Sequence, residues 1–157
     1  MAEKIDDRWE ILVDDQADLQ VRKDITAILN QANEQFGHKW ASQPLQLYVQ
    51  DKSGRTVAGL SGSTNWGWLH VELLAVERTL RRSGLGSRLL LRAEEIARSR
   101  GCSNSFLDTF SFQARHFYEK HGYTVYGELE NFPTGASRYF LKKSLQVSAQ
   151  ISSKDNQ

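Results

Sequence analysis

Residues 81–90 read RRSGLGSRLL, in which two glycines stand two positions apart and an apolar run follows at once. The residues before this segment, 65–76, are dense in apolar side chains and predict a strand. After it, apolar side chains recur at helical spacing as far as Arg100, and Gly101 then predicts the end of a helix. The stretch therefore predicts a strand, a glycine turn and a long amphipathic helix in direct succession.

Glycines at the start of a helix expose backbone N–H groups that the helix itself leaves unpaired. Gly84 and Gly86 lack the Cβ atoms that would keep a ligand away from these groups. The helix dipole, Arg81 and Arg82 add positive potential, and Ser87 adds a hydroxyl donor. The segment therefore predicts a cradle for phosphate, and in particular for a pyrophosphate.

The better-known phosphate loops do not fit this segment. The chain has no G-x-x-x-x-G-K-[ST] loop of the nucleoside-triphosphate type, and Leu89 stands where a dinucleotide motif would have its third glycine. A tight turn with an ordinary helix start is the purely structural alternative.

Composition limits the classes of protein to consider. The 157 residues suit one domain, and 39% hydrophobic with 25% charged residues is ordinary for a soluble globular protein. No apolar run or signal-like N-terminus predicts a membrane partner or secretion, and a net charge of +1 gives no reason to expect nucleic acid. Cys102 is the only cysteine, which excludes an intrachain disulfide and favours a reducing, cytoplasmic location.

The order of elements predicts an α/β fold with a mixed sheet. Helices are expected at Asp18–Phe36 and within 111–122. Further strands are expected at 8–13, 45–50, 56–62, 103–110, 123–130 and 137–145. Strand–helix–strand alternation in the centre indicates parallel pairing, and the hairpins at the ends indicate antiparallel edges. We expect a single domain over residues 1–145 and a polar, flexible tail over residues 146–157.

Two motifs resemble those of the GNAT superfamily of acyl-CoA-dependent N-acetyltransferases. One is [QR]-x-x-G-x-[GA], filled here by Arg81, Gly84 and Gly86. The other is A-x-x-x-Y-x-K-x-G-[FY], filled by Ala114, Tyr118, Lys120, Gly122 and Tyr123. The resemblance covers about residues 8–145 and implies a mixed, centrally splayed β-sheet flanked by helices.

The resemblance also implies how acetyl-CoA would be bound. The pantetheine arm would pair with backbone groups of Leu74, Ala75 and Val76, and an N–H near Val76 would polarise the thioester carbonyl. The pyrophosphate would lie on the glycine loop, with contributions from Arg81, Arg82, Ser83, Gly84, Leu85, Gly86 and Ser87. Ser111 stands where relatives often have an asparagine that contacts the cofactor arm, and its shorter side chain leaves that contact open.

Catalysis requires an acid for the departing thiolate and an unprotonated amine. Tyr118 matches the superfamily tyrosine near the sulfur. His70 and Glu72 lie two apart on one strand, so they share a face, and Leu74 and Val76 are expected to extend that face. Glu72 is the first candidate for the general base and His70 the second; an amine that arrives neutral would need no strong base.

The chain is thus expected to be an enzyme that transfers acetyl from acetyl-CoA to a primary amine of a small molecule, directly and in a ternary complex. A protein amine as acceptor, or a CoA-binding regulatory module without turnover, are the alternatives. No cluster of residues suggests a metal site, because His116 and His121 do not share a helix face. The resemblance is also compatible with a homodimer.

Overall fold

The computed structural model describes residues 2–4 and 9–146, and the chain divides into two compact units, Met1–Trp40 and Ala41–Gln157. In the first unit, strands β1 (Ala2–Lys4) and β2 (Glu10–Leu12) pair antiparallel, and helix α1 (Leu19–Gln35) follows. The expected strand 8–13 is described only from residue 9, and the expected tail lies outside the described residues after residue 146.

Helix α1 begins as the sequence predicts. The carboxylate of Asp18 accepts hydrogen bonds from the backbone N–H groups of Gln20 and Val21, at 2.6 Å and 3.4 Å. It therefore pairs donors that the first helical turn leaves free. Gly37 follows the helix with a φ of 78°, as its position predicts.

The second unit is built on a six-stranded mixed sheet of order β3-β4-β5-β6-β8-β7. Its elements are β3 (Gln43–Gln50), β4 (Thr56–Asn65), β5 (Trp68–Val76), α2 (Leu85–Ser99), β6 (Asn104–Phe110), α3 (Arg115–Lys120), β7 (Thr124–Glu130) and β8 (Ser137–Ser144). Strands β5 and β6 are parallel, and the other neighbours are antiparallel. The α/β class and the mixed sheet are confirmed.

A tight turn interrupts the strand expected over residues 65–76. Strand β4 ends at Asn65 and β5 begins at Trp68, so only Trp66 and Gly67 connect them. Both have positive φ, 48° and 77°, as a type I′ hairpin turn requires. The expected single strand was therefore wrong at its start, because the dense aromatic content concealed the turn that Gly67 forms.

The core lies on one face of the sheet, beneath α2 and α3. Helix α2 contributes residues that are buried completely or nearly so: Leu89, Leu90, Ala93 and Ala97. They pack with Leu60, Leu69, Val71, Leu107 and Leu141 from the sheet and with Tyr118 of α3. We call this the helix face of the sheet and the opposite side the second face. No helix in the described residues is long and apolar enough to cross a bilayer.

The sheet splits at its centre. Strands β5 and β6 pair only from Trp68 and Asn104 to Val71 and Leu107. Beyond these pairs the two strands no longer pair with each other, although β5 continues to Val76 and β6 to Phe110. The expected splay is confirmed, and it exposes the backbone edge of each strand to the gap.

Candidate active site

A cleft of about 870 Å³ opens where β5 and β6 separate. The end of β5, the first turn of α2, the end of β6 and α3 line it. Most of the site residues expected from the sequence meet there: Glu72, Leu74, Ala75, Val76, Arg81, Arg82, Gly84, Leu85, Gly86, Ser87 and Tyr118. Three of the expected residues do not line it: His70, Ser83 and Ser111.

The N-terminus of α2 presents bare backbone to this cleft. Gly84 takes a left-handed φ of 81°, and no side chain among the described residues caps the helix. The first backbone hydrogen bond of the helix is donated by the N–H of Arg88 to the carbonyl oxygen of Gly84, at 3.0 Å. Among the described residues, the N–H groups of Leu85, Gly86 and Ser87 donate no backbone bond outside the regular elements. Three donors are therefore available to an anion.

Ser83, in the turn before α2, hydrogen-bonds to the backbone of that turn. Ser83 donates from its Oγ to the carbonyl of Leu80 at 2.6 Å, and its N–H reaches the same oxygen at 3.4 Å. Arg81 contacts the carbonyl of Val76 through its Nε at 3.4 Å, and Arg82 has a positive φ of 66°. Ser83 thus stabilises the turn, while the two arginines border the cleft.

Gly86 keeps a passage open between the end of β5 and α3. A Cβ at this position would stand 3.6 Å from the ring of Phe117 and 3.6 Å from a methyl of Val76. These are ordinary contacts, so alanine would fit, but a longer side chain would enter the gap between the two neighbours. The position therefore admits a methyl group, and only a longer side chain would close the passage.

A β-bulge at Glu72 changes the face on which the following residues of β5 lie. Ser61 pairs with Leu73 but Gly62 pairs with Val71, which leaves Glu72 as an extra residue in β5. Leu74 and Val76 consequently pack against the core of the helix face. The expectation that they share a face with His70 and Glu72 is wrong, because one extra residue reverses the alternation.

On the second face, Glu72 has polar neighbours. Its Oε1 lies 3.5 Å from the Oγ of Ser63 and 3.8 Å from the Nδ1 of His70, and its side chain is 49% exposed. The His70 ring stacks on Phe106 with centroids 4.3 Å apart and an angle of 3°. His70 therefore flanks Glu72, and of the two candidate bases only Glu72 lines the cleft.

Tyr118 lies at the inner side of the cleft. It is 6% exposed and packs edge-on against Phe117 and Tyr123, with centroids 5.1 Å and 5.9 Å away. Burial, with a smaller contribution from the negative charge of Asp108, raises the pKa of Tyr118 to about 12. Its phenol is therefore protonated at neutral pH and is a potential proton donor.

Sequence reasoning missed the contribution of β6 to the cleft. Asp108 lines it and accepts a 2.7 Å hydrogen bond from the Nε of Arg138. Phe112 also lines it and is 64% exposed. The signal for Asp108 was present: it alternates with the buried Leu107 and Thr109 and lies near the carboxyl end of a parallel strand.

Ser111 has another partner in this structure. Its Oγ accepts from the N–H of Ser137 at 3.1 Å, and its own N–H donates to the Ser137 carbonyl at 2.8 Å. It therefore joins the loop after β6 to β8, and α3 begins only at Arg115, later than expected. No group of three or more His, Cys, Asp or Glu side chains within the described part of the chain could hold a metal ion.

Comparison with known proteins agrees with this architecture. A model of the acetyltransferase (GNAT) family matches residues 9–123. The chain is 40% identical over 108 residues to blasticidin-S acetyltransferase of Streptomyces morookaense. The alignment covers 66% of this chain and 79% of that protein. It is 35% identical over 133 residues to an acetyltransferase of Agrobacterium fabrum. That alignment covers 84% of this chain and 96% of the Agrobacterium protein.

Solved structures share the fold. The crystal structure of an acetyltransferase from Bacillus cereus superposes with a TM-score of 0.73 at 33% identity, and covers 85% of this chain and 97% of that one. With a family match over most of its length and relatives of this similarity, the chain belongs to the GNAT family of acetyltransferases and is an acyltransferase.

Proposed function

We propose that the chain transfers the acetyl group of acetyl-CoA directly to a primary amine of a small molecule, with both substrates bound at once. The observation that carries the proposal is the single cleft that joins the bare N-terminus of α2 to Tyr118 and Glu72. The small-molecule acceptor is supported by the relative named as a blasticidin-S acetyltransferase. The lone cysteine supports a cytoplasmic location as part of the proposal.

The residues around the cleft fit acetyl-CoA. The free N–H groups of Leu85, Gly86 and Ser87, with the positive end of the α2 dipole, suit its pyrophosphate. Beyond Val71, the edge of β5 that faces β6 has no strand partner in the part of the chain that the structure describes, so its peptide groups are available to a pantetheine amide. When bound, acetyl-CoA supplies the thioester carbonyl that the amine attacks.

Two side chains would then move protons. Glu72 takes a proton from the acceptor ammonium, directly or through water, and so frees the lone pair that attacks the thioester carbon; the nitrogen releases its second proton to solvent as the tetrahedral adduct collapses. Tyr118 gives its proton to the sulfur as the C–S bond breaks, and its raised pKa keeps it protonated for this step. His70, 3.8 Å from Glu72, orients that carboxylate. An acceptor that arrives as the neutral amine reduces the need for Glu72.

A thiol-release assay tests the proposal. Purified protein is mixed with acetyl-CoA and with each member of a panel of small primary amines, and free CoA thiol is measured together with the acetylated amine. We expect thiol release that depends on the amine and equals the N-acetyl product formed. Binding of acetyl-CoA without release would indicate a regulatory module, and release with peptide or protein amines alone would overturn the small-molecule acceptor.

A further inference from the structure

The two ends of the cleft carry opposite charge. The end at α2 has bare N–H groups together with Arg81 and Arg82, and we have proposed that the pyrophosphate of acetyl-CoA binds there. The other end has carboxylates on both sides of the gap, Glu72 on β5 and Asp108 on β6. Arg138 balances the charge of Asp108, so the remaining negative charge at this end is that of Glu72, which attracts an amine that is protonated in solution.

Asp108 is held in place at that end. Its Oδ2 accepts a 2.7 Å hydrogen bond from Arg138, whose side chain is 30% exposed. The guanidinium of Arg138 in turn lies 5.5 Å, 5.3 Å and 5.4 Å from the ring centroids of Phe110, Phe132 and Phe140. Asp108 is therefore a fixed carboxylate, and its charge reaches the phenol of Tyr118.

Aromatic rings continue from the mouth of the cleft. Phe112 lines the cleft and stacks on Phe110, with centroids 5.3 Å apart and an angle of 14°. Phe110 meets Phe132 edge-to-face at 5.9 Å. We call Phe112, Phe110 and Phe132 the aromatic strip. Phe112 and Phe132 remain 64% and 44% exposed, so part of each ring is open to a ligand, although Phe110 covers one face of Phe112 and Arg138 lies over Phe132.

We infer that Asp108 and the aromatic strip form the acceptor subsite, and that the acceptor is a primary amine that carries an aromatic ring. The carboxylate of Asp108 binds the ammonium group, and the ring of the acceptor stacks on Phe112. This inference rests on the proposed function and names its second substrate. A flat ring suits the site because the exposed face of Phe112 continues an existing stack.

A matched pair of amines tests the inference. 2-Phenylethylamine and 2-cyclohexylethylamine have the same chain length and differ in whether the ring is aromatic. We expect kcat/KM to favour 2-phenylethylamine by several-fold, up to about tenfold, because stacking on Phe112 is open only to a flat ring. F112L should bring the ratio close to one, whereas Y48L, which removes an exposed ring on β3, should leave it unchanged.

The carboxylate is tested separately. D108N should raise KM for both amines about tenfold or more, with the affinity for acetyl-CoA unchanged, and D108E should recover part of the loss. Equal use of the two amines by the wild type, an unchanged ratio in F112L, or an unchanged KM in D108N would overturn the inference. If acetyl-CoA binds and other amines are acetylated while neither of the pair is, the acceptor class is wrong and the proposed function stands.

Discussion

At the scale of single residues, the proposed chemistry depends on a phenol that keeps its proton. Tyr118 is almost buried, and the charge of Asp108 lies near it, so both effects favour the neutral form. A phenol with a pKa of about 12 remains a proton donor across the working range of pH. The same residue also packs in the core, so activity and stability must be measured separately.

Tyr118→Phe removes the proton but keeps the ring. We expect kcat to fall by about 10²-fold or more, because a positioned acid contributes about that much. Acetyl-CoA affinity, measured by calorimetry, should change little. Tyr48→Phe makes the same chemical change at an exposed ring outside the cleft and serves as the control. An equal loss of binding and turnover would contradict the acid role.

Glu72→Gln tests the base. We expect kcat/KM at neutral pH to fall by about tenfold or more, since the amine then arrives protonated. The loss should shrink as pH rises toward the pKa of the acceptor amine, because the neutral amine needs no base. Steady-state rates from about pH 7 to about pH 10 measure this. If His70→Gln shows this pattern and Glu72→Gln does not, the base is His70.

At the scale of elements, the bulge in β5 decides which side chains meet. Without the extra residue, Glu72 would pair within the ladder, and Leu74 and Val76 would turn away from the core. Gly62, opposite the bulge, has a structural reason to be glycine: a Cβ there would collide with the carbonyl oxygen of His70. The bulge therefore depends on a close approach of two backbones.

Gly62→Ala should lower the free energy of unfolding by about 1–3 kcal/mol, because backbone must move to admit the methyl group. Urea denaturation followed by circular dichroism measures the change. Gly127→Ala is the matched control in strand β7: it also lies beside a bulge, but its added Cβ meets Phe140 at an ordinary 3.7 Å. A loss of the same size in both variants would show that the collision with the backbone of His70 is not the cause.

The elements differ in how far the sequence reveals them. Helix α2 and its glycine turn were predictable because apolar spacing and Gly84 act locally. The bulge at Glu72 was not, because a pattern of alternating residues cannot reveal that one strand holds an extra residue relative to its partner. Asp108 could have been found from its alternation with buried neighbours, but its pairing with Arg138 depends on the strand order.

At the scale of the whole molecule, a buried charge joins the helix face of the sheet to α2. Glu94 is fully buried and accepts hydrogen bonds from the Nζ of Lys143 at 2.9 Å and 2.7 Å. The hydroxyl of Tyr123 donates to the same carboxylate at 3.1 Å and lies 2.9 Å from the Oγ of Ser105. This cluster links α2, β6 and β8.

Glu94→Gln should destabilise the protein by about 3–5 kcal/mol, because Lys143 then keeps a largely buried charge without its partner. Glu95→Gln is the neighbouring control. Its ion pair with Arg92 is exposed, so its loss should cost less than about 1 kcal/mol. Urea denaturation measures the difference: the midpoints of the two variants can be compared directly if the free energy of unfolding depends on urea concentration with the same slope in both. Similar midpoints would mean that the buried cluster adds no more than a surface pair.

The proposed acetyl transfer requires that acetyl-CoA binds at the N-terminus of α2, in the passage beside Gly86. Isothermal calorimetry of acetyl-CoA with the wild type, Gly86→Leu and Gly127→Leu tests this most directly. We predict binding by the wild type and by Gly127→Leu, and a loss of at least about a hundredfold in Gly86→Leu, whose side chain fills the gap between Val76 and Phe117. Equal affinity in all three proteins, or none in the folded wild type, would contradict the account.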